Sequence, residues 1–389
     1  MRKRISKNTK IMSFASFLTD LSTEMIIPLI PFFLTTILSA PVYILGILEG
    51  LREIAAKSSG IISGIHSDKV GKRKKFIILG YGLSSIVKAF LVTAVSWVEA
   101  FSVLILERIG KGIREPPRDS LIVASEEKNT IGAAFGFRRM LDNMGAIIGP
   151  LVAGAVLILI ANHSIEESYR FVFLLALIPA FLSVVTLFFV NEKRGKGHDR
   201  GEIIFNILNL TKKHELFVIA LIIFALGMFS NLFFLLRSGE YIDAVIIPIA
   251  YLAYNVFYTI FAMPAGQLAD KFGPKKSIIL SLLLFLVSLL GFAFFSTNTT
   301  VFLFFAIAGL FMAIFDTAPK VFLAKIVDKE YYATAIGSYE GIIGLAALPA
   351  NIIAGVLWSI ELFSAPAAFI FSIATTVIAL ILMFLARDY

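Results

Sequence analysis

The stretch Gly64-Ile-His-Ser-Asp68-Lys-Val-Gly71-Lys72-Arg73-Lys74-Lys75 decides how this chain is read. It is short, charged and glycine-bearing, and it sits between two long apolar runs. A weaker copy begins at Gly266: Gly266-Gln-Leu-Ala-Asp270-Lys-Phe-Gly273-Pro-Lys275-Lys276. Glycine, aspartate, glycine and a basic pair keep the same register in both. Either copy alone could be an ordinary turn with a capping aspartate; two in register point to a chain built of two similar halves. The likeness extends outward. At the same offset Pro117 meets Pro319 and Arg118 meets Lys320; with the register shortened by one, Gly136 meets Gly337 and Gly154 meets Gly355.

Composition sets the surroundings. Of 389 residues 58% are hydrophobic and only 16% charged, with a mean hydropathy of +0.88. A soluble domain carries about 25% charged residues, so this chain cannot cover itself with a surface that water tolerates. It is expected to be an integral membrane protein in contact with the lipid bilayer. The net charge of +8 does not point to nucleic acid, because the basic residues cluster in short connections between apolar runs. Cysteine is absent, which excludes disulfides and thiolate chemistry, and the four scattered histidines offer no metal-ligand spacing. No cofactor and no metal are expected. The opening Arg2 to Lys10 is basic like a signal peptide, but the apolar run after it is too long, carries Asp20 and Glu24, and lacks a clear small-residue cleavage site. It reads as a retained first span.

A span needs about 20 mostly apolar residues. Twelve such runs are expected, near 11–38, 41–66, 75–96, 99–123, 132–161, 169–190, 216–236, 244–268, 276–295, 299–325, 333–358 and 365–386. The predicted fold is all-α, twelve transmembrane helices in two pseudo-symmetric six-helix bundles. Residues 1–190 form the first bundle, 191–214 a flexible linker, and 215–389 the second. Pro28, Pro31 and Pro150 are expected kink points, and Pro116-Pro117 a break in the fourth span. Lysine and arginine crowd the amino terminus, the connection after the second span, the linker and the connection after the eighth span. This one-sided bias predicts both termini in the cytoplasm.

The halves differ in charge. Glu49, Glu53 and Lys57 align with Tyr251, Asn255 and Thr259, and Arg114 aligns with Asp316. Ion coupling is therefore expected in the first half and a neutral, aromatic pocket wall in the second.

Spans, repeat and loop signature together resemble the major facilitator superfamily over essentially the whole chain. In the fourth span Arg108-Ile-Gly-Lys111-Gly112 resembles the family's arginine-to-glycine signature, with Lys111 where a glutamine is usual. In the fifth span Gly136-x8-Gly145-x3-Gly149-Pro150-x2-Ala153-Gly154 resembles its antiporter signature and departs at Ala153. The resemblance implies alternating access, a cavity lined by spans one, four, seven and ten, and drug:proton antiport across the plasma membrane.

Several residues then acquire expected roles. Gly64, Asp68, Gly71, Lys72 and Arg73, with Gly266, Asp270 and Gly273 in the copy, read as a cytoplasmic gate. Glycines let helices approach closely, and Lys72 and Arg73 can reach an acid on a neighbouring helix end. By resemblance one candidate for that acid is Asp119, next to Arg118. The plainer reading is that these positives only fix topology. Asp20 and Glu24 are i,i+4 and share one helical face. A charge at the bilayer centre costs roughly 2.5–3.5 kcal/mol, so both are expected to face the interior. Burial favours a neutral carboxyl, which suits proton carriage; a structural ion pair or an interfacial position is the alternative. By resemblance Arg108 is the counter-charge of Asp20 or Glu24.

Lys111 and Arg118 could instead draw an anionic substrate. Glu53 and Lys57 are expected to pair, as are Arg138 and Asp142; Glu49 reads as solvated near the outer surface, and Lys88 acquires no role. Gly136, Gly145, Gly149, Pro150 and Gly154 form the antiporter-type helix. In the second half Asn231, Arg237, Tyr251, Tyr254, Asn255, Tyr258, Asp316, Tyr339 and Glu340 are the polar candidates, with cavity aromatics near Phe229–Phe234.

The function expected is proton-coupled export of a small organic, amphiphilic molecule by a monomeric multidrug-type antiporter, with protons and a small-molecule substrate as partners. The alternatives are transport of an organic anion and, with fewer ligands to support it, efflux of a divalent metal. No nucleophile–base pair or phosphate loop supports an enzyme, and no sensing domain supports a receptor.

Overall fold

A computed structural model describes residues 5–127, 130–192, 215–326, 332–359 and 366–386. From residue 193 on the predicted linker lies outside the described residues, as does the Glu340 side chain. All regular structure among the described residues is helical. By internal contacts the chain divides into two compact units. One comprises Met1–Ala40 and Leu51–Gly201, the other Pro41–Gly50 and Glu202–Tyr389.

The first unit opens with α1 (Lys7–Ile26), capped by the Ser6 hydroxyl, which accepts from the Thr9 N–H. The helix runs on through a 3₁₀ turn (Ile27–Leu29), a single α turn (Ile30–Phe32) and a π turn (Phe33–Ile37). Pro28 and Pro31 fall in these irregular turns, as expected where a ring replaces a backbone donor. α2 (Tyr43–Val70) ends at Gly71, whose φ of 63° only glycine adopts at low cost and whose N–H donates to Ser67 O at 3.0 Å. α3 (Arg73–Thr93), α4 (Trp97–Ser125), α5 (Ile131–Leu159) and α6 (Ile165–Leu187) complete the unit. α1 packs on α5 and α6, and α3 on α4 and α6.

Pro116-Pro117 does not break α4, contrary to the sequence reading; the helix continues to Ser125. Pro117 has no N–H to offer Ile113 O, and the Ser63 hydroxyl of α2 donates to that carbonyl at 2.6 Å instead. One turn earlier Ser59 Oγ donates to Ile109 O at 3.2 Å. A neighbouring helix thus satisfies the acceptor that the proline orphans, the usual condition for proline inside a span.

In the second unit α7 (Glu215–Gly227) and α8 (Asn231–Ser238) meet at a 40° bend. There Ser230 caps α8, and its own N–H donates to Asn351 Oδ1 at 2.7 Å. α9 (Ile247–Phe272), α10 (Pro274–Phe294), α11 (Thr300–Ile326), α12 (Tyr332–Ser359) and α13 (Pro366–Leu385) follow. α11 packs on α9 and α10, and α13 on α7 and α10. The first turns of α2 belong to this unit, with Gly50 against Leu348 of α12. Glu49 is accordingly not a merely solvated acid: its Oε2 accepts from Ser230 Oγ at 3.0 Å.

Eight helices among the described residues are long and apolar enough to cross a membrane, or nine if α7 and α8 form one bent span.

Candidate functional site

α1 and α5 lie so close that glycine is required between them. A Cβ built on Gly149 would sit 2.7 Å from Glu24 Cβ, and one on Gly145 would sit 2.9 Å from Phe17 O and 3.1 Å from Asp20 Cβ. Two glycines of the fifth-span signature therefore lie directly beneath the two acids of the first span, a link that sequence spacing did not reveal. Pro150 and Gly154 are buried in the same helix. Gly136 stands apart, with nothing within 4 Å of a built Cβ.

The acids enter a web of charge. The charged groups acting most on Asp20 are Asp142 of α5, then Lys111, Arg114 and Arg118 of α4. Arg108 Nε lies 3.8 Å from Glu107 Oε2, and Lys111 Nζ lies 3.8 Å from Glu115 Oε1. Arg138 and Asp142 pair at 3.2 Å. Glu53 and Lys57 approach to 3.7 Å with well-exposed side chains.

Arg114 and Arg118 are buried and anchored. Arg114 Nη1 donates to Ser84 Oγ at 2.7 Å, and its guanidinium covers the Tyr81 ring at 4.7 Å. Arg118 donates to Asp119 Oδ1 (3.0 Å), Ser16 Oγ (3.2 Å) and Tyr81 Oη (3.4 Å). Together they tie α1, α3 and α4 to one another.

Four charged groups were not among the expected site residues: Glu107, Lys88, Arg52 and Arg114, each 3% exposed or less. Glu107 faces Arg108, Lys88, Arg114 and Arg52. Its signal was visible, since it adjoins Arg108 in the sequence. Glu107 Oε2 and Arg114 Nε are buried on α4 without a hydrogen bond, as are Arg138 Nε and Asp142 Oδ1 on α5.

At the loop, Arg73 Nη2 meets Asp68 Oδ1 at 3.2 Å. The acid received from a neighbouring helix end is Glu192, just past α6. Its carboxylate accepts from the Arg73 N–H (2.6 Å) and the Lys74 N–H (3.0 Å), a bidentate cap on α3. Lys74 Nζ returns to Phe188 O and Val190 O at 2.8 and 2.6 Å. Asp119 takes Arg118, its own neighbour. Lys72 is the cap residue of α3, and a Cβ built on Gly64 would lie 3.5 Å from Pro116 Cβ.

In the second copy Gly273 has φ 90°, Gly266 lies near Thr317, and Asp270 is exposed. Lys275 Nζ donates to Ala386 O past α13, the counterpart of the lysine contact at α6. Elsewhere in the second unit Tyr251, Tyr254 and Tyr258 stack along α9, with centroids 5.5 and 6.4 Å apart. Tyr258 donates to Asp316, which pairs with Lys320 at 3.0 Å. Asn255 is buried, and Asn231 begins α8 after the bend. Arg237 pairs with Glu240 and donates to Phe292 O at 3.1 Å.

A family model described as the Major Facilitator Superfamily matches residues 12–241 and 216–389. An uncharacterised MFS-type transporter of Methanocaldococcus jannaschii is 37% identical over 366 residues, covering 92% of this chain and 90% of that one. The multidrug resistance protein MdtH of Photorhabdus laumondii is 28% identical over 145 residues, 37% of this chain and 36% of its own. The crystal structure of the nucleoside transporter NupG superposes with a TM-score of 0.81 at 14% identity, covering 98% of this chain and 100% of that one. At that identity the likeness shows the fold alone. On the family match and the full-length relative, the chain belongs to the Major Facilitator Superfamily: it is a multi-pass membrane transporter and not an enzyme.

Proposed function

We propose that the protein exports a small organic, amphiphilic molecule in exchange for protons, by alternating access across the plasma membrane, with both termini in the cytoplasm. The observation that carries this reading is the seat of Asp20 and Glu24. Both lie where α1 presses on the glycines of α5, with Lys111, Arg114 and Arg118 acting on Asp20. An acid held among fixed cations can exchange its proton as that balance shifts. The partial likeness to proteins named for multidrug resistance supports a broad organic substrate.

The reading includes twelve spans in two six-helix bundles, 1–190 and 215–389. To the eight apolar helices and the bent pair it adds α2, α4 and α12. α2 and α4 carry the site's charges, which is why apolarity alone passes over them. At 28 and 29 residues, each is about 42 Å long, more than a bilayer core. The matching packing pairs of the two units support the repeat. Asp68 and Arg73 serve as the cytoplasmic gate.

The test is substrate-induced pH change in everted vesicles. Proton-coupled export predicts alkalinisation of the loaded side, lost in Asp20→Asn while the protein still inserts. An undiminished response in Asp20→Asn ends this reading. A second reading, transport of an organic anion, rests on the four cations of α4, Arg108, Lys111, Arg114 and Arg118. It predicts potential-driven uptake that Asp20→Asn leaves intact and Lys111→Gln reduces.

A further inference from the structure

Lys88 lies in the last two turns of α3, 2% exposed. A buried ammonium is costly unless something compensates it. Its hydrogen-bond partners are two neutral hydroxyls, Ser22 Oγ at 3.1 Å and Thr23 Oγ1 at 2.7 Å. Both belong to the turn of α1 between Asp20 and Glu24. The charged groups facing it are Glu107, Arg114 and Arg108 from α4 and Asp20 from α1. α6, the other helix packed on α3, brings a neutral contact nearby, Ser85 Oγ to Ala180 O at 2.9 Å.

This arrangement differs from an ion pair in its consequence. A lysine bonded directly to Asp20 would lock that carboxylate in its ionised form. A lysine held by hydroxyls one turn away leaves the carboxylate open to a proton, yet keeps a positive charge at a fixed place beside it. We propose that Lys88 is a positioning residue for proton uptake: it clamps the Asp20–Glu24 turn of α1 onto α3 and adds a positive charge, behind those of Lys111, Arg114 and Arg118, against which Asp20 gains or loses its proton. The inference rests on the reading of Asp20 as the proton site.

The experiment needs no substrate. Protein in liposomes is treated with dicyclohexylcarbodiimide, which attacks neutral buried carboxyls, and labelling at Asp20 is followed by mass spectrometry from about pH 5 to about pH 9. In Lys88→Met the labelling profile moves to the alkaline side, and labelling at about pH 7.5 rises about threefold or more. Lys88→Arg keeps the wild-type profile. Ser22→Ala with Thr23→Val retains the lysine but frees it from the clamp, and it moves the profile the same way by a smaller step; this variant carries the test if Lys88→Met does not fold. An unchanged profile in the folded variants overturns the inference while leaving Asp20 as the proton site. No labelling of wild-type Asp20 at any pH overturns both.

Discussion

The two units solve the problem of a filled interior in opposite ways. In the first, Arg52, Lys88, Glu107, Arg114 and Arg118 are buried on α2, α3 and α4; Glu107 faces Arg52, Lys88 and Arg114, and Arg118 faces Glu115, Asp119 and Asp142. In the second, Phe224, Phe234, Phe292 and Phe369 are buried, with edge-to-face contacts such as Phe234 on Phe292 at 4.9 Å and on Phe369 at 5.5 Å. Ring packing barely depends on protonation. A charge web does, because each proton gained or lost changes what every neighbour faces. The difference assigns sensitivity to one unit and rigidity to the other, along the line first drawn by Glu53 and Lys57 against Asn255 and Thr259.

The sharpest way to break the comparison is to remove one member from each interior. Arg114→Met leaves Glu107, Glu115 and Asp20 facing one cation fewer and is expected to cost about 3–5 kcal/mol of thermal stability in detergent. Phe292→Ala empties a site ringed by Phe234, Phe304 and Phe305 and is expected to cost a similar amount, about 3–5 kcal/mol. The two then part with pH. The Arg114→Met loss shrinks in acid as the acids it faced become neutral; the Phe292→Ala loss stays constant. Equal pH dependence would remove the distinction between the units.

A smaller effect separates two glycines of one motif. Gly149→Val drives a side chain into Glu24 and is expected to cost about 1–3 kcal/mol and much of the transport rate. Gly136→Val meets open space and is expected to stay within about 0.5 kcal/mol of wild type. Thermal unfolding and vesicle transport of both variants check this.

That pair also marks how far the sequence could be read. Apolar runs, the doubled loop and the glycine spacing carry the helices and the family, because those signals lie within one stretch of chain. Who touches whom across helices does not. The cap on α3 came from Glu192, more than a hundred positions further along the chain. The fourth-span prolines read as a break because Ser63, which donates to the carbonyl that Pro117 orphans, stands on α2. Lys88 looked idle because its partners, Ser22 and Thr23, are residues that spacing rules pass over. Charge within one helix was legible; charge between helices required coordinates.

The Glu192 cap extends the contrast between the units. Glu192→Ala orphans the first N–H groups of α3 and is expected to cost about 1–2 kcal/mol. At the equivalent start of α10 stands Pro274, which has no N–H to satisfy. Loss of protection at the Arg73 and Lys74 amides in hydrogen exchange, with α10 unchanged, is the expected result.

The smallest effect lies at the amino terminus of the first unit. Glu126, just past α4, accepts from the Ser6 N–H (2.9 Å), Thr9 Oγ1 (2.7 Å) and Thr130 Oγ1 (2.9 Å). Partial burial works against its ionisation, but the hydrogen bonds from Thr9, Ser6 and Thr130 outweigh it and hold the carboxyl below its ordinary value of 4.5. A depressed acid stabilises the fold above that ordinary value, and the contribution disappears as pH falls through the lowered one. The chain has no cysteine, so a nitroxide on Ile5→Cys reports this site alone. Its mobility should stay low from about pH 8 to about pH 5 and rise only in stronger acid, where Glu126 finally takes a proton. In Glu126→Gln the probe should be mobile throughout. A probe that loosens near neutral pH would place the controlling group elsewhere, and the web around Asp20, about three turns beyond Thr9 along α1, would be the first place to look.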